Sequence, residues 1–241
     1  MCSIKRIKRA FAFSAVLAFV QLYAFGQSIN EPDSFYKVQH NVISQPKRIT
    51  YKSFILPAAL ITTGALDISD HFIIPDGAIK EERDEDFPHF HTTIDNYLQF
   101  APMLAGYAML INNGQHSYWK YTEKVALTEV MLNALVQPVK HITKEPRPDT
   151  GAPTSFPSGH TTEAFAGATI FCDEFAEHKP LLTASMYTAA TAVGALRVLN
   201  NRHWANDVVA GAGFGILSAK LSELIIEPHG KKYHSSYNNQ L

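Results

Sequence analysis

The sequence predicts an all-α protein, a compact bundle of about six helices. Its 241 residues are enough for one domain, with or without a targeting segment. Hydrophobic residues make up 46% of the chain and charged residues 18%, a composition that disfavours both disorder and a coiled coil. Apolar residues recur mainly at helical spacing, and no segment shows the Val, Ile and Thr alternation of a sheet.

Six segments have helical character and are separated by polar connections: 53–66, 95–112, 120–143, the segment that follows residue 158, 181–198 and 204–226. The fourth segment is the clearest, because its apolar residues repeat every three or four positions, at Ala164, Phe165, Ala168, Phe171, Cys172 and Phe175. Residues 144–158 contain four prolines, so this connection is not a continuous helix.

Residues 67–94 lack periodicity, and we interpret them as a long loop with at most one short helix. Acids and histidines in and next to this segment could ligate a cation, namely Asp67, Asp70, His71, His89, His91 and Asp95. Their spacing matches no metal-ligand pattern, which favours a solvated loop. A lid over the active site is the alternative.

The N-terminus has the pattern of a signal peptide over residues 1–26. A basic segment from Lys5 to Arg9 precedes an apolar run, and Ala24-Phe25-Gly26 provides small residues for cleavage. An uncleaved anchor is the alternative. The segments that follow are a polar arm over 27–50, a globular domain over 51–228 and a polar tail over 229–241. The expected location is the periplasm, or the periplasmic face of an envelope membrane.

Charge and cysteine content exclude two further classes. Four of the 21 basic residues lie in the signal segment, which leaves 17 against 22 acids and disfavours a nucleic-acid-binding protein. Cleavage would remove Cys2 and leave Cys172 as the single cysteine, so neither an internal disulfide nor a cysteine-rich metal site is expected.

The helices favour burial in a bundle over membrane spans. The longest uncharged stretches, 96–119 and 180–196, are diluted by polar residues and hold fewer than 18 solidly apolar positions. Tyr118, Trp119 and Tyr121 are interpreted as a core or helix-end cluster, with a membrane interface as the alternative.

Three segments of the C-terminal half concentrate phosphate-binding chemistry. The first is Lys140-HITKEP-Arg147-Pro148, which supplies two cations. The second is Pro-Ser-Gly-His at 157–160, directly before a helix whose N-terminus favours anions. In the third, His203 precedes Asp207 by four residues, so the carboxylate can hold one imidazole nitrogen and leave the other free to attack. Together they predict a phosphoryl-transfer site.

These segments resemble the type 2 phosphatidic acid phosphatase superfamily (PAP2), which includes class A acid phosphatases and vanadium haloperoxidases. The family signature reads KxxxxxxRP, PSGH and SRxxxxxHxxxD, and the chain departs from it where Leu196 replaces the serine. The resemblance implies a PAP2/haloperoxidase-like helical fold for 51–228. It also implies the catalytic residues His203 (nucleophile), His160 (general acid) and Asp207 (orienting His203), and the phosphate-binding residues Lys140, Arg147, Ser158, Gly159 and Arg197. No metal or cofactor is implied.

We therefore expect a phosphatase of the bacterial envelope that hydrolyses a lipid-linked phosphate monoester or diphosphate through a phosphohistidine. A soluble periplasmic acid phosphatase of broad specificity is the main alternative, and a vanadate-dependent haloperoxidase is a weaker one. The expected partners are a phosphorylated lipid or small phosphate ester and a membrane surface, but no nucleic acid. The oligomeric state stays open.

Overall fold

The computed structural model describes residues 49–70, 73–112, 118–177 and 179–226. The predicted signal peptide, the polar tail and nearly all of the polar arm lie outside these residues. Within them every regular element is helical, which confirms the predicted fold class.

A 3-10 turn at Tyr51–Phe54 leads into eight described helices: α1 (Ile55–Asp70), α2 (Asp76–Asp86), α3 (Asp95–Leu98), α4 (Ala101–Asn112), α5 (Tyr118–Thr143), α6 (Gly159–Phe175), α7 (Pro180–Leu199) and α8 (Ala205–Ile226). The observed helices differ from the expected six in two places. The segment 67–94 contains α2, and the predicted helix 95–112 is divided into α3 and α4. Pro102 explains the division, because proline lacks an N–H and is best placed in the first turn of a new helix.

Helix α6 forms the centre of the bundle and packs against α4, α5, α7 and α8. The sequence indicated one apolar face on this helix, but the structure buries every residue from Thr161 to Phe171. A helix with neighbours on all sides has no face exposed to water, so its polar residues are buried too. Its small residues allow the neighbouring helices to approach closely. The first turn of α6, with the Pro-Ser-Gly-His segment, is thereby fixed in position.

Helix α8 lies against α6 and α1 through a row of glycines. A Cβ atom added at Gly215 would lie 2.3 Å from the carbonyl oxygen of Thr162 in α6. A Cβ at Gly211 would lie 2.8 Å from the carbonyl oxygen of Ser158. Both contacts are to backbone, which cannot rotate away. The glycines therefore set how closely the start of α8, with Asp207, approaches the start of α6.

We predict that Gly215→Ala destabilises the protein by about 1–3 kcal/mol, the usual cost of inserting a methyl group into a packed core. Gly77 in α2 is the matched control, because a Cβ there meets no atom within 4 Å. Gly77→Ala should leave the free energy of unfolding unchanged or raise it by up to about 1 kcal/mol. Equal thermal stability of the two variants would show that α6 and α8 are not in backbone contact.

The prediction of a solvated loop over residues 67–94 holds only in part. Most of its described residues are exposed or half-buried and it contains one short helix, but its first residues continue α1 and two of its acids are buried. The carboxylate of Asp67 is buried and accepts hydrogen bonds from the N–H groups of Ile73 (2.8 Å) and Ile74 (3.1 Å). Asp76, also buried, accepts from the N–H groups of Ala205 (2.8 Å) and Asn206 (3.3 Å). Asp76 thus caps the N-terminus of α8 from another helix, a long-range contact that has no local sequence signal.

No group of three or more potential metal ligands occurs within the described part of the chain. His89 and His91 are exposed, and Asp67 binds backbone N–H groups. Of the six residues considered as cation ligands, the side chain of Asp70 and all of His71 lie outside the described atoms.

Two described helices, α7 and α8, are long and apolar enough to cross a membrane. Of the 18 most apolar consecutive residues, 39% are buried within the protein in α7 and 67% in α8, so α7 exposes the larger share of its apolar segment. Helix α7 contains the uncharged stretch 180–196 that was predicted to be buried in the bundle, whereas α8 was not among the stretches considered as spans. Tyr121 lies in the core as expected, whereas Trp119 is 69% exposed.

Candidate active site

The three predicted segments meet at one end of the bundle. Helix α5 ends near Lys140, α6 begins with Gly159 and His160, α7 ends near Arg197, and α8 begins two residues after His203. Ser158 ties two of these elements together, because its N–H donates to the carbonyl oxygen of Asp207 at 3.0 Å.

His203 and Asp207 form the pair that their spacing predicted. The distance between His203 Nδ1 and Asp207 Oδ2 is 3.1 Å, and the two side chains are only 1% and 0% exposed. With the Nδ1 proton directed at the carboxylate, Nε2 keeps the lone pair. This tautomer is the one that a nucleophilic imidazole requires.

The surroundings of Asp207 include three groups that the sequence argument missed. Asp207 Oδ2 also accepts hydrogen bonds from the Ser155 hydroxyl (2.5 Å) and the Trp204 N–H (2.9 Å). Burial raises the pKa of Asp207 to about 6, and the hydrogen bonds from Ser155 and Trp204 together with the nearby Glu145 side chain act against this rise. Glu145 lies within the first motif, two residues before Arg147, and that position was the available signal for it.

Lys140 anchors the loop that precedes α6. Its Nζ donates to the carbonyl oxygens of Thr154 (2.9 Å) and Pro157 (2.5 Å). Burial lowers the pKa of Lys140 to about 8. Lys140 therefore has two effects: it holds the Pro-Ser-Gly-His segment in place, and it adds positive charge near His203. Arg147 is connected to the same loop, since its Nε donates to Thr154 Oγ1 at 3.3 Å.

Arg197 forms an ion pair with Asp95, an acid that we expected to be exposed to solvent. Arg197 Nη1 lies 2.6 Å from Asp95 Oδ2, and both side chains are buried. Asn200 Nδ2 donates to the other oxygen of Asp95 at 3.2 Å. Asp95 thus fixes the guanidinium orientation from α3 and offsets part of its charge.

His160 lies at the start of α6 with its Nε2 2.9 Å from Asn96 Oδ1. Burial, followed by the charge of Arg197, lowers the pKa of His160 to about 4. Burial and the charges of Arg197, Arg147 and Lys140 hold the pKa of His203 well below its ordinary value. The free protein therefore has a neutral His203 at pH 7. An anion bound among the cations would offset their charge and raise the pKa of His160.

Ser158 and Gly159 differ in how accessible they are. Ser158 is buried, and its hydroxyl oxygen accepts a hydrogen bond from Thr161 at 2.9 Å. Around Gly159 there is open space, because an added Cβ would meet no atom within 4 Å. The N–H at the start of α6 can therefore be approached closely by an anion. All eight predicted site residues lie on the elements and loops that meet at this end of the bundle.

Comparisons with known proteins show which family the chain resembles. The model of the PAP2 superfamily matches residues 121–229. The chain is 39% identical over 166 residues to a lipid A 1-phosphatase of Porphyromonas gingivalis, an alignment that covers 66% of this chain and 37% of the relative.

Its fold resembles the crystal structure of a transmembrane PAP2-type phosphatidylglycerolphosphate phosphatase from Bacillus subtilis. The TM-score is 0.55 at 18% identity, and the match covers 76% of this chain and all of that one. The three motifs and all eight predicted site residues lie within residues 121–229, the region that matches the PAP2 superfamily.

Proposed function

We propose that the protein is a phosphatase that hydrolyses the phosphate ester or diphosphate of a membrane lipid through a phosphohistidine at His203. The observation that carries this proposal is the buried pair of His203 and Asp207, which lies within the electrostatic influence of three cations. A neutral imidazole held by a carboxylate next to concentrated positive charge is suited to attack a phosphate.

The reaction has two steps. His203 Nε2 attacks the phosphorus atom, a P–N bond forms, and the bond to the leaving oxygen breaks. His160 gives its proton to that oxygen, so that an alcohol or phosphate leaves. A water molecule then attacks the phosphohistidine, His160 takes a proton from it, the P–N bond breaks, and inorganic phosphate is released.

Cations and backbone groups carry the charge that develops in both steps. Arg197, Arg147 and Lys140 neutralise the phosphate oxygens, and the N–H at Gly159 donates from the N-terminus of α6. Asp207 stabilises the positive charge that forms on the His203 ring as the P–N bond forms.

Two observations favour a lipid over a small soluble ester. The relative from P. gingivalis is named for a lipid substrate. Asp95 and Asn96, which contact Arg197 and His160, are adjacent in sequence to two large exposed apolar side chains, those of Ile94 and Tyr97. An acyl chain could pack against these side chains while the phosphate is bound by the cations. The predicted signal segment would place this reaction on the periplasmic side of the envelope.

The test is phosphate release by the purified full chain in mixed micelles. The substrates are lipid A 1-phosphate, phosphatidate, undecaprenyl diphosphate and the soluble esters glycerol phosphate and p-nitrophenyl phosphate. We expect kcat/KM to be at least about tenfold higher for one of the lipids than for the soluble esters, which corresponds to burying roughly two methylene groups. A preference for soluble esters would indicate the acid phosphatase alternative. Bromide oxidation with vanadate would indicate the haloperoxidase.

A matched pair of surface variants tests the contact with the lipid. Tyr97 and Leu181 are almost equally exposed, at 77% and 79%. Leu181 lies at the start of α7, about 24 Å along the helix from Arg197. Tyr97→Ser should lower kcat/KM for the lipid several-fold and leave p-nitrophenyl phosphate unaffected, whereas Leu181→Ser should leave both unchanged. Equal losses in the two variants would mean that the apolar surface serves only membrane attachment.

A further inference from the structure

Asp95 is the partner of Arg197, and the next residue in the sequence, Asn96, contacts His160, the proposed general acid. In the four-residue helix α3, Asp95 binds Arg197, and the following residue, Asn96, has its Oδ1 2.9 Å from His160 Nε2. Both contacts join positions that are distant in sequence, 64 residues apart for Asn96 and His160 and 102 for Asp95 and Arg197. Nothing in the family motifs includes α3.

We propose that Asn96 is a positioning residue for His160, a role that rests on the proposed phosphatase activity. The side-chain oxygen of Asn96 accepts the Nε2 proton of His160. The neutral ring then has its lone pair on Nδ1, and the protonated ring has a second N–H there. Nδ1 is therefore the atom that gives a proton to the leaving oxygen and later takes one from water.

Local hydrogen bonds fix the backbone at Asn96. The N–H of Asn96 donates to the carbonyl oxygen of Thr93 at 3.1 Å, and its own carbonyl accepts from Gln99 Nε2 at 2.8 Å. The neighbouring Asp95 is buried in its ion pair with Arg197, which fixes the orientation of the short helix. These contacts fix the backbone of Asn96, and its exposed side chain reaches His160 from there.

The charged and titratable groups that influence His160 come from four elements: Asp95 in α3, Arg147 in the loop after α5, Arg197 in α7 and His203 before α8. Asn96 is neutral and adds a hydrogen bond without adding charge. A substitution that keeps its shape but adds a charge should therefore change the proton affinity of His160 and leave the cations in place.

Asn96→Asp provides that change. A carboxylate within hydrogen-bond distance should raise the pKa of the imidazole by about one unit. The alkaline limb of the kcat profile for an alkyl phosphate should move up by about one pH unit, because His160 in the substrate complex then keeps its proton to higher pH. The profile for p-nitrophenyl phosphate should move less, because its leaving group needs little protonation. Asn133→Asp on the exposed face of α5 is the matched control and should leave the limb in place.

Asn96→Leu removes the acceptor. It should lower kcat for the alkyl phosphate about fivefold to tenfold, the usual range for one hydrogen bond, and have little effect on the aryl ester. In a His160→Ala background the same substitution should have no further effect, since a residue that acts through His160 has nothing left to orient. Additive losses, or an unmoved pH limb in Asn96→Asp, would overturn the proposal.

A measurement that does not depend on turnover distinguishes failure of this proposal from failure of the proposed function. In long-range ¹H–¹⁵N spectra of the full chain, with the His160 signals assigned from His160→Gln, the neutral ring should carry its proton on Nε2. Asn96→Leu should shift the population toward the Nδ1 tautomer. A wild-type ring protonated on Nδ1 would contradict the proposal even if phosphatase activity were found. The expected tautomer without activity on any phosphate would contradict the proposed function alone.

Discussion

Substituting His203 with alanine should abolish phosphate release, with kcat reduced by about 10⁴-fold to 10⁶-fold, the range for removing a nucleophile from a catalytic unit. The buried ring is the group that attacks phosphorus in the proposed mechanism, and water would have to replace it. Lys140, Arg147 and Arg197 remain, so orthovanadate should still bind to the variant, and its affinity can be measured by calorimetry.

His141→Ala is the control for this experiment. His141 is exposed and adjacent to Lys140, so the substitution removes an imidazole near the same end of the bundle without touching the pair of His203 and Asp207. Its kcat should equal that of the wild type. If His203→Ala kept more than a tenth of wild-type activity with an unchanged melting temperature, His203 would not be the nucleophile.

Asp207→Asn should lower kcat by about 10³-fold to 10⁴-fold while the fold is retained, as expected when an imidazole loses its orienting carboxylate. An asparagine oxygen can still accept from the Trp204 N–H and the Ser155 hydroxyl, which lie 2.9 Å and 2.5 Å from Asp207 Oδ2. The negative charge that stabilises the developing imidazolium is lost. The measurement is kcat for one lipid phosphate and for p-nitrophenyl phosphate, together with the melting temperature.

Both substrates should lose activity equally in Asp207→Asn, because attack by His203 precedes departure of either leaving group. Ser155→Ala is the comparison variant: it removes one hydrogen bond to Asp207 but keeps the charge. Its loss should be about tenfold or less. If Ser155→Ala were as inactive as Asp207→Asn, the geometry of the carboxylate would matter more than its charge.

Short sequence distances explain which parts of the site could be predicted. His203 and Asp207 are one helical turn apart, and Ser158 to His160 lie at a helix start, so local spacing already indicates their arrangement. The helices with strong periodicity or a proline-rich boundary were also predictable, because burial of an apolar face is a local property of the sequence.

The parts that escaped prediction depend on contacts between distant residues. Asp95 was grouped with the solvated loop because the spacing of the acids and histidines there matches no ligand pattern, yet its partner Arg197 lies in another helix. Asp76 caps α8 by accepting a hydrogen bond from Ala205, which lies more than a hundred residues later in the sequence. Helix α3 is four residues long and too short for any periodicity to show. These acids are buried because each has a specific partner, and partners are set by the tertiary fold.

The stereochemical course at phosphorus tests the covalent mechanism most directly. A substrate with a phosphate made chiral by oxygen isotopes is hydrolysed in isotopically labelled water, and the configuration of the released phosphate is determined. Each in-line displacement inverts phosphorus, so transfer to His203 followed by transfer to water predicts net retention. Net inversion would mean a single attack by water and would contradict the role assigned to His203.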